Sequence, residues 1–466
     1  HRSSETPKPM QSMQRTFLNI AACLLAALAL LPARPLSAAD ARGGKSGDDA
    51  PSMERLGRGL VAIRLNSKEV FLSWRSLSRD PENAGFHVWR GKERLTDKPL
   101  RGATCWIDRD AEQGVVHTYS VRVIDRNGRE RKEKTVPFRL AKDAPTGYLE
   151  IPLEPPPNEV MPDGSTCAFA PNDASIGDAD GDGEFEIFLK WEPSNAKDNA
   201  HAGHTGRVRI DCLKLDGGRL WRIDLGRNIR AGAHYTQMLV WDFDGDGIAE
   251  LVVKTADGTI DGRGKPIGDP KADWRGEDGR ILKGPEYLTV FSGKTGAALD
   301  TIPYVPPRDD PRDWGDKYGN RCDRFLAAVA FLDGKRPSAV FCRGYYARSV
   351  LAAFDWDGRK LSLRWVFDTD ARKSKWRDWR GQGNHNLSVG DVDGDGKDEI
   401  VYGACAIDHD GTGLHATGLG HGDAMHMTRF SLDLPGLQVW QCHESKGAGC
   451  SFRDANDGRI LFQIPR

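Results

Sequence analysis

The stretch "DADGDGEFEIFLKW", beginning at Asp178, recurs as "DFDGDGIAELVVKT" from Asp242 and as "DVDGDGKDEIVYGA" from Asp391. Each copy sets aspartates at positions 1, 3 and 5, glycines at 4 and 6, and an acid at position 9 just ahead of an apolar run. Carboxylates at this spacing converge on one point when glycines permit a tight turn, and Ca²⁺ is the hard cation that gathers many oxygen ligands in such a loop. The predicted ligands are Asp178, Asp180, Asp182 and Glu186; Asp242, Asp244, Asp246 and Glu250; and Asp391, Asp393, Asp395 and Glu399. Position 12, where a helix-flanked EF-hand needs a glutamate, holds Leu189, Val253 or Tyr402 instead, so these loops open onto strands. Position 7 varies as Glu184, Ile248 and Lys397, as expected if only its carbonyl binds metal. Mg²⁺, which prefers a small octahedral shell and keeps its waters, fits less well. A loop of this kind pins the start of a strand and does not by itself imply turnover.

Around the loops the chain repeats an apolar strand followed by a hairpin centred on a turn of Asp-Gly or Thr-Gly type. The hairpins are "VRIDCLKLDGGRLWRIDL", "EYLTVFSGKTGAALDTIPY", "SVLAAFDWDGRKLSLRWVFD" and "LQVWQCHESKGAGCSFRDANDGRILFQI". Units of about four strands with almost no helical periodicity predict an all-β chain with a β-propeller over residues 167–466. Upstream, "GLVAIRL", "EVFLSWR", "GFHVWRG", "TCWID" and "HTYSVRVID" predict a small β-sandwich over 54–142, of fibronectin type III appearance. Trp74 and Tyr119 are read as its core aromatics. The Pro-rich segment 143–166 reads as a linker and the Gly-rich segment 40–53 as a flexible lead.

"FLNIAACLLAALALL" (Phe17 to Leu31) follows Arg15 and ends in "PARPLSAAD". It is shorter than a spanning helix needs and reads as a signal peptide cleaved after Ala39, with translation starting at Met10 or Met13. Secretion is therefore expected, with no membrane association after cleavage. A net charge of -1 argues against a nucleic-acid or anionic-membrane surface, and a monomer is expected. The cysteines show no metal-type C-x-x-C pair; Cys442 with Cys450, flanking a Gly-rich turn, make the best local bridge, with buried free thiols an equal expectation.

Polar, Gly-rich segments beside the loops carry Asn172, Glu192, His201, His204, His234, His385, His409, His415, His421 and His426. In a propeller these segments would converge at one mouth of the central channel. His385 in "GNHN" and His421 in "GHGD" stand out by their context. No zinc motif, nucleophile elbow, phosphate loop or dinucleotide fingerprint accompanies them.

At these segments the sequence resembles the polysaccharide lyase family 11 rhamnogalacturonan lyases. The resemblance runs from "RGLVAIRL…VFLSWR" through "NDASIGDADGDGEFEIFLKWEPSNAKDNAHAGHTG", "LWRIDLGRNIRAGAHYTQ" and "GQGNHNLSVGDVDGDGKDEIVYG" to "GLGHGDAMH". It implies a β-sandwich followed by an eight-bladed, calcium-rich propeller that cleaves the galacturonate-rhamnose backbone of the pectic polysaccharide rhamnogalacturonan I. It also implies active-cleft roles for His385 and His421 and sugar contacts through Asn172 and Glu192. About four units are legible here where eight are implied, so the propeller is expected to be incomplete at its C-terminus and, taken alone, poorly soluble and inactive.

The implied chemistry is β-elimination. Removing the C5 proton of a uronate is slow because the carbanion forms beside a carboxylate, and Ca²⁺ on that carboxylate disperses the charge. The bases considered are His385, His421, Lys190 and Lys254. The two lysines each stand four residues beyond a loop's final acid, where pairing with loop carboxylates is an equal expectation. The alternatives are a noncatalytic calcium-dependent propeller that binds glycans or proteins, and a hydrolase using two carboxylates.

Overall fold

The computed structural model describes residues 51–52, 54–132, 135–370 and 375–465. The apolar run Phe17 to Leu31 and most of the lead lie outside the described residues. Among the latter no helix is long and apolar enough to cross a membrane.

Alternation organises the first part of the chain. Val61–Arg64 and Val70–Ser73 bury every second residue, and with Cys105–Asp108 they form a three-stranded antiparallel sheet. A second sheet centres on Gly85–Arg90, flanked by His117–Ile124 and then Phe138–Leu140. Its Phe86, Val88, Val121 and Val123 meet Leu60, Ala62, Val70 and Leu72 from the first sheet's side in one core. Trp74 is 4% exposed and edge-on to Phe86, and Tyr119 is fully buried with its hydroxyl donating to Asp108 at 2.9 Å. Both aromatics are core residues.

Five sheets follow in series, each a four-strand antiparallel meander, the first extended by two short strands. The first comprises Phe169–Gly177, Glu186–Pro193, Arg209–Leu213 and Arg219–Asp224; the second Met238–Trp241, Glu250–Ala256, Glu286–Ser292 and Ala298–Pro303. The third runs Phe325–Ala330, Ser338–Arg343, Val350–Trp356 and Leu361–Asp368; the fourth Ser388–Gly390, Glu399–Val401, Cys405–Ile407 and Gly413–Ala416. The fifth comprises Ala424–Thr428, Gln438–Cys442, Cys450–Asp454 and Ile460–Ile464.

These sheets stack face to face, and side chains of alternate direction serve successive interfaces. Leu251 and Val253 pack with Phe188, Ile210 and Trp221 of the first sheet, whereas Val252, between them, packs with Phe341 and Phe354 of the third. Glu250–Ala256 is accordingly buried throughout and reads as an unbroken run, the pattern of a strand covered on both faces. Truncating Leu251 to alanine should cost about 2 to 5 kcal/mol, the range for large-to-small core changes. The first strands of neighbouring sheets lie side by side from Phe169–Gly177 through to Ser388–Gly390.

The fourth meander was not legible as a hairpin. Its outer strands are only three and four residues long, "CAI" and "GLHA", with little of the β-branched and aromatic content that marks the other hairpins. The three aspartate loops join first to second strands in the first, second and fourth sheets. Cys442 and Cys450 lie directly opposite in the fifth sheet as free thiols, sulfurs 3.6 Å apart.

Candidate functional site

The three loops share one construction. The first aspartate folds the turn by accepting backbone N–H groups on both oxygens. Asp178 takes Gly181 at 2.8 Å and Gly183 at 2.7 Å, Asp242 takes Gly245 at 2.8 Å and Gly247 at 2.9 Å, and Asp391 takes Gly394 at 2.7 Å and Gly396 at 3.0 Å. Those glycines are left-handed, with Gly183 at φ 90°, and a Cβ there would come within 2.9 Å of the Gly57 nitrogen. The final glutamate closes the loop through the second residue's N–H: Glu186 with Ala179 at 2.8 Å, Glu250 with Phe243 at 3.0 Å, Glu399 with Val392 at 2.8 Å.

One oxygen of each glutamate is thus committed, and in the first and third loops the glutamate also joins the aspartates. Asp178, Asp180 and Glu186, then Asp242, Asp244 and Asp246, then Asp391, Asp393 and Glu399 each bring ligand oxygens within 4.8 Å of one another. Burial, reinforced by the neighbouring aspartates, pushes Glu186 up to about 7, Glu250 to about 9 and Glu399 to about 8. Glu399 is fully buried and its Oε1 has no hydrogen-bond partner. An orphaned, buried carboxylate oxygen among further carboxylates fits a divalent, oxygen-seeking cation.

A second cluster forms where loops from four sheets meet. His234, His385 and His421 precede the first strands of the second, fourth and fifth sheets, and Tyr345 and Tyr346 follow the second strand of the third. The His385 ring lies 5.4 Å from that of His234 and 5.1 Å from that of His421. It is held between two phenols, Tyr346 Oη at 2.9 Å from Nε2 and Tyr345 Oη at 3.2 Å from Nδ1. Tyr345 stacks parallel to His421, with ring centroids 5.5 Å apart.

His421 donates from Nδ1 to the Gly383 carbonyl at 2.6 Å, which leaves its Nε2 as a lone pair, buried and without a hydrogen-bond partner. Glu444 approaches that nitrogen at 3.6 Å, and Asp423 approaches His385 Nε2 at 3.6 Å. Burial pulls His421 and His234 down to about 4, and His385 moves the same way; the Arg324 guanidinium adds to the effect on His234 and His385. The imidazoles are therefore neutral near pH 7. His385, His421 and Asp423 bring ligand atoms within 4.8 Å, so the same nitrogens can accept a proton or hold a cation.

The other residues read from the sequence fall elsewhere. Lys190 pairs with Asp173. Lys254 is buried, 3.1 Å from Glu286 and over the Phe325 ring, in an ionic network with Arg308, Arg343 and Asp323; burial lowers its pKa. Asn172 is exposed at an irregularity in the first strand, and Glu192, half-buried, lines a small pocket with Lys190 and Thr236. His409, in the turn between Cys405–Ile407 and Gly413–Ala416, reaches Asp395 and Glu399 of the third aspartate loop, His415 bonds the Ala455 carbonyl at 2.9 Å, and His426 pairs opposite Trp440. Tyr345, Tyr346, Asp423, Glu444 and Arg324 were not singled out from sequence. An aromatic pair directly after a glycine in a polar loop, "RGYY", was the available signal.

A serial all-β protein with cation-type loops and a neutral imidazole cluster is thereby defined, and comparison with known proteins places it further. Residues 148–466 match the model of the rhamnogalacturonan lyase family 11 C-terminal domain, and residues 51–138 match the rhamnogalacturonan I lyases beta-sheet domain. The chain belongs to rhamnogalacturonan lyase family 11. It is 55% identical over 414 residues to the rhamnogalacturonan exolyase YesX of Bacillus subtilis, and 50% identical over 417 residues to the rhamnogalacturonan endolyase YesW of the same organism. These alignments cover 88% and 89% of this chain and 66% of each relative, so the chain spans about two thirds of the length of either. The crystal structure of the exotype lyase YesX superposes with a TM-score of 0.84 at 54% identity, covering 89% of this chain and 68% of that one.

Proposed function

We propose that the protein is a secreted, monomeric lyase that cleaves the galacturonate-rhamnose backbone of rhamnogalacturonan I by calcium-assisted β-elimination. Family membership supports the substrate and the reaction, and the signal-type segment Phe17 to Leu31 supports secretion. The five stacked meanders are read as successive blades of a propeller and the two-sheet unit before them as fibronectin type III-like. Three oxygen-rich loops support calcium as their cation, in a structural role.

The observation that carries the reaction is the neutral imidazole cluster. Elimination needs a base to take the C5 proton, and an imidazole can serve only when unprotonated, as His421 and His385 are near neutral pH. The Tyr345 and Tyr346 phenols orient the His385 ring and can relay a proton. Half-exposed Arg321, on the face of Tyr346 at 3.8 Å, offers a cation to the uronate carboxylate. A bound calcium ion would stabilise the negative charge that develops on that carboxylate. Lys190 and Lys254 are assigned to ion pairs, and Asn172 and Glu192 to sugar contacts.

The test is incubation with rhamnogalacturonan I and calcium while ultraviolet absorbance and reducing ends are followed together. Elimination raises both, because it leaves a conjugated double bond. Reducing ends without absorbance would replace this reading by hydrolysis, and calcium-dependent binding of the polysaccharide with no product would favour a binding role.

A further inference from the structure

The three loops differ at one position that the motif itself does not contain. In each of their sheets, the third strand runs antiparallel to the strand that the loop opens, and one of its residues, or the next, sits across from the loop's final glutamate. In the second sheet that residue is Ser292, paired with Glu250. In the first sheet it is Lys214, one step beyond the Ile187–Leu213 pair and so opposite Glu186. In the fourth it is Asp408, one step beyond Ile400–Ile407 and so opposite Glu399. An otherwise repeated site thus carries a cation, a hydroxyl and an anion at equivalent places.

The side chains act accordingly. The Lys214 ammonium lies 2.6 Å from Asp180 Oδ2, 3.4 Å from Asp182 Oδ2 and 3.7 Å from Glu186 Oε1, at the point where the first loop's carboxylates converge. In the fourth sheet Asp408 adds a carboxylate opposite Glu399, whose Oε1 is buried without a hydrogen-bond partner. His409 Nδ1 stands 2.6 Å from Asp408 and 3.6 Å from Glu399 Oε1, and Lys397 reaches Asp395 at 3.1 Å and His409 Nε2 at 2.8 Å. His409 Nδ1 also lies 3.4 Å from Asp395, among the third loop's ligand oxygens, but the Lys397 ammonium reaches one carboxylate of that loop whereas the Lys214 ammonium reaches three of the first.

We propose that Lys214 serves as a built-in counter-cation that competes with calcium for the first loop, and that affinity for the ion rises from the first loop through the second to the third. The inference rests on calcium as the ion of these loops. An ammonium must leave before a divalent cation can gather the same carboxylates, and each added carboxylate strengthens binding of a hard cation. The first loop then keeps its shape when calcium is scarce, while the third needs the ion.

Calcium uptake by the full chain, followed by calorimetry and native mass spectrometry, tests this with calcium chloride as the probe. Lys214→Met should gain one calcium ion, or tighten one site at least tenfold, and adding Asp180→Asn should erase the gain. Asp408→Lys should weaken one site at least tenfold or lose one ion. If Lys214→Met is unstable in chelator, recovery of its melting temperature on adding calcium supports the proposal, and failure to recover overturns it. Lys214→Met that matches wild type within twofold in number and affinity of ions also overturns it. Wild-type protein that takes up no calcium at millimolar concentration would instead remove calcium as the ion of the loops, an outcome visible before any variant is made.

Discussion

The aspartate loops and the histidine cluster are both groups of titratable side chains kept from water, and burial acts on them in opposite senses. It raises carboxyls such as Glu250, to about 9, because their charged form is an anion that loses its hydration. It lowers imidazoles such as His421, to about 4, because their charged form is a cation. A buried acid cluster left charged therefore calls for a positive ion, while a buried imidazole cluster is stable neutral and available as a base or ligand. The first is a demand for structure and the second a resource for chemistry. Removing one should disturb melting, and removing the other should disturb turnover.

The largest effect expected is on activity. His421→Ala should lower lyase turnover about a thousandfold, or about 4 kcal/mol of barrier, with the fold and the calcium-induced rise in melting temperature kept. Near-normal turnover would remove His421 from the mechanism. The loops should show the reverse. Asp244→Ala should lower the melting temperature while the relative rates on different pectic substrates stay constant, and an unaltered calcium-induced rise in melting would show that this loop binds no ion. Chelation of the wild type should remove about 2 to 3 kcal/mol of stability per well-occupied site, following the linkage between binding and folding. A thermal scan in chelator with no shift would break the contrast between the two regions.

Acid should act through the imidazoles. His234 and His421 have folded-state values near 4, depressed from the ordinary 6.5, so the stability they contribute is present above about pH 6.5 and is lost as pH falls through 4. Glu186, Glu250 and Glu399, raised in the folded protein, act in the opposite sense over this range, so the imidazole contribution is read as a difference: from pH 7 to 4, His234→Asn should lose less melting temperature than wild type. A curve identical to wild type would show that His234 keeps its ordinary affinity for protons. The smallest effect is expected at Tyr346. Losing the hydroxyl 2.9 Å from His385 Nε2 in Tyr346→Phe should slow turnover about tenfold, or about 1.4 kcal/mol, with no change in melting.

The loops were legible along the chain, because the residues that fold them are local. Asp178 accepts N–H groups from three and five residues ahead, the left-handed glycines permit the turn, and Glu186 reaches back seven residues to close it. Alternation in "VAIR" and "VFLS" likewise gave the first part of the chain its sheets, and the all-β class followed from strand patterns throughout. The short fourth meander escaped, since three-residue strands hold too few side chains to show a period. His385 and His421 were legible as unusual histidines, but their company was not. His234, Tyr345, His385 and His421 come from four different sheets, and no interval along the chain encodes the 5.1 Å between the His385 and His421 rings. The charge facing each loop was equally hidden: Lys214, Ser292 and Asp408 stand 28, 42 and 9 residues beyond Glu186, Glu250 and Glu399. Only antiparallel pairing, which sets the end of a third strand against the start of a second, brings these residues to their glutamates, and that pairing is a property of the folded sheet.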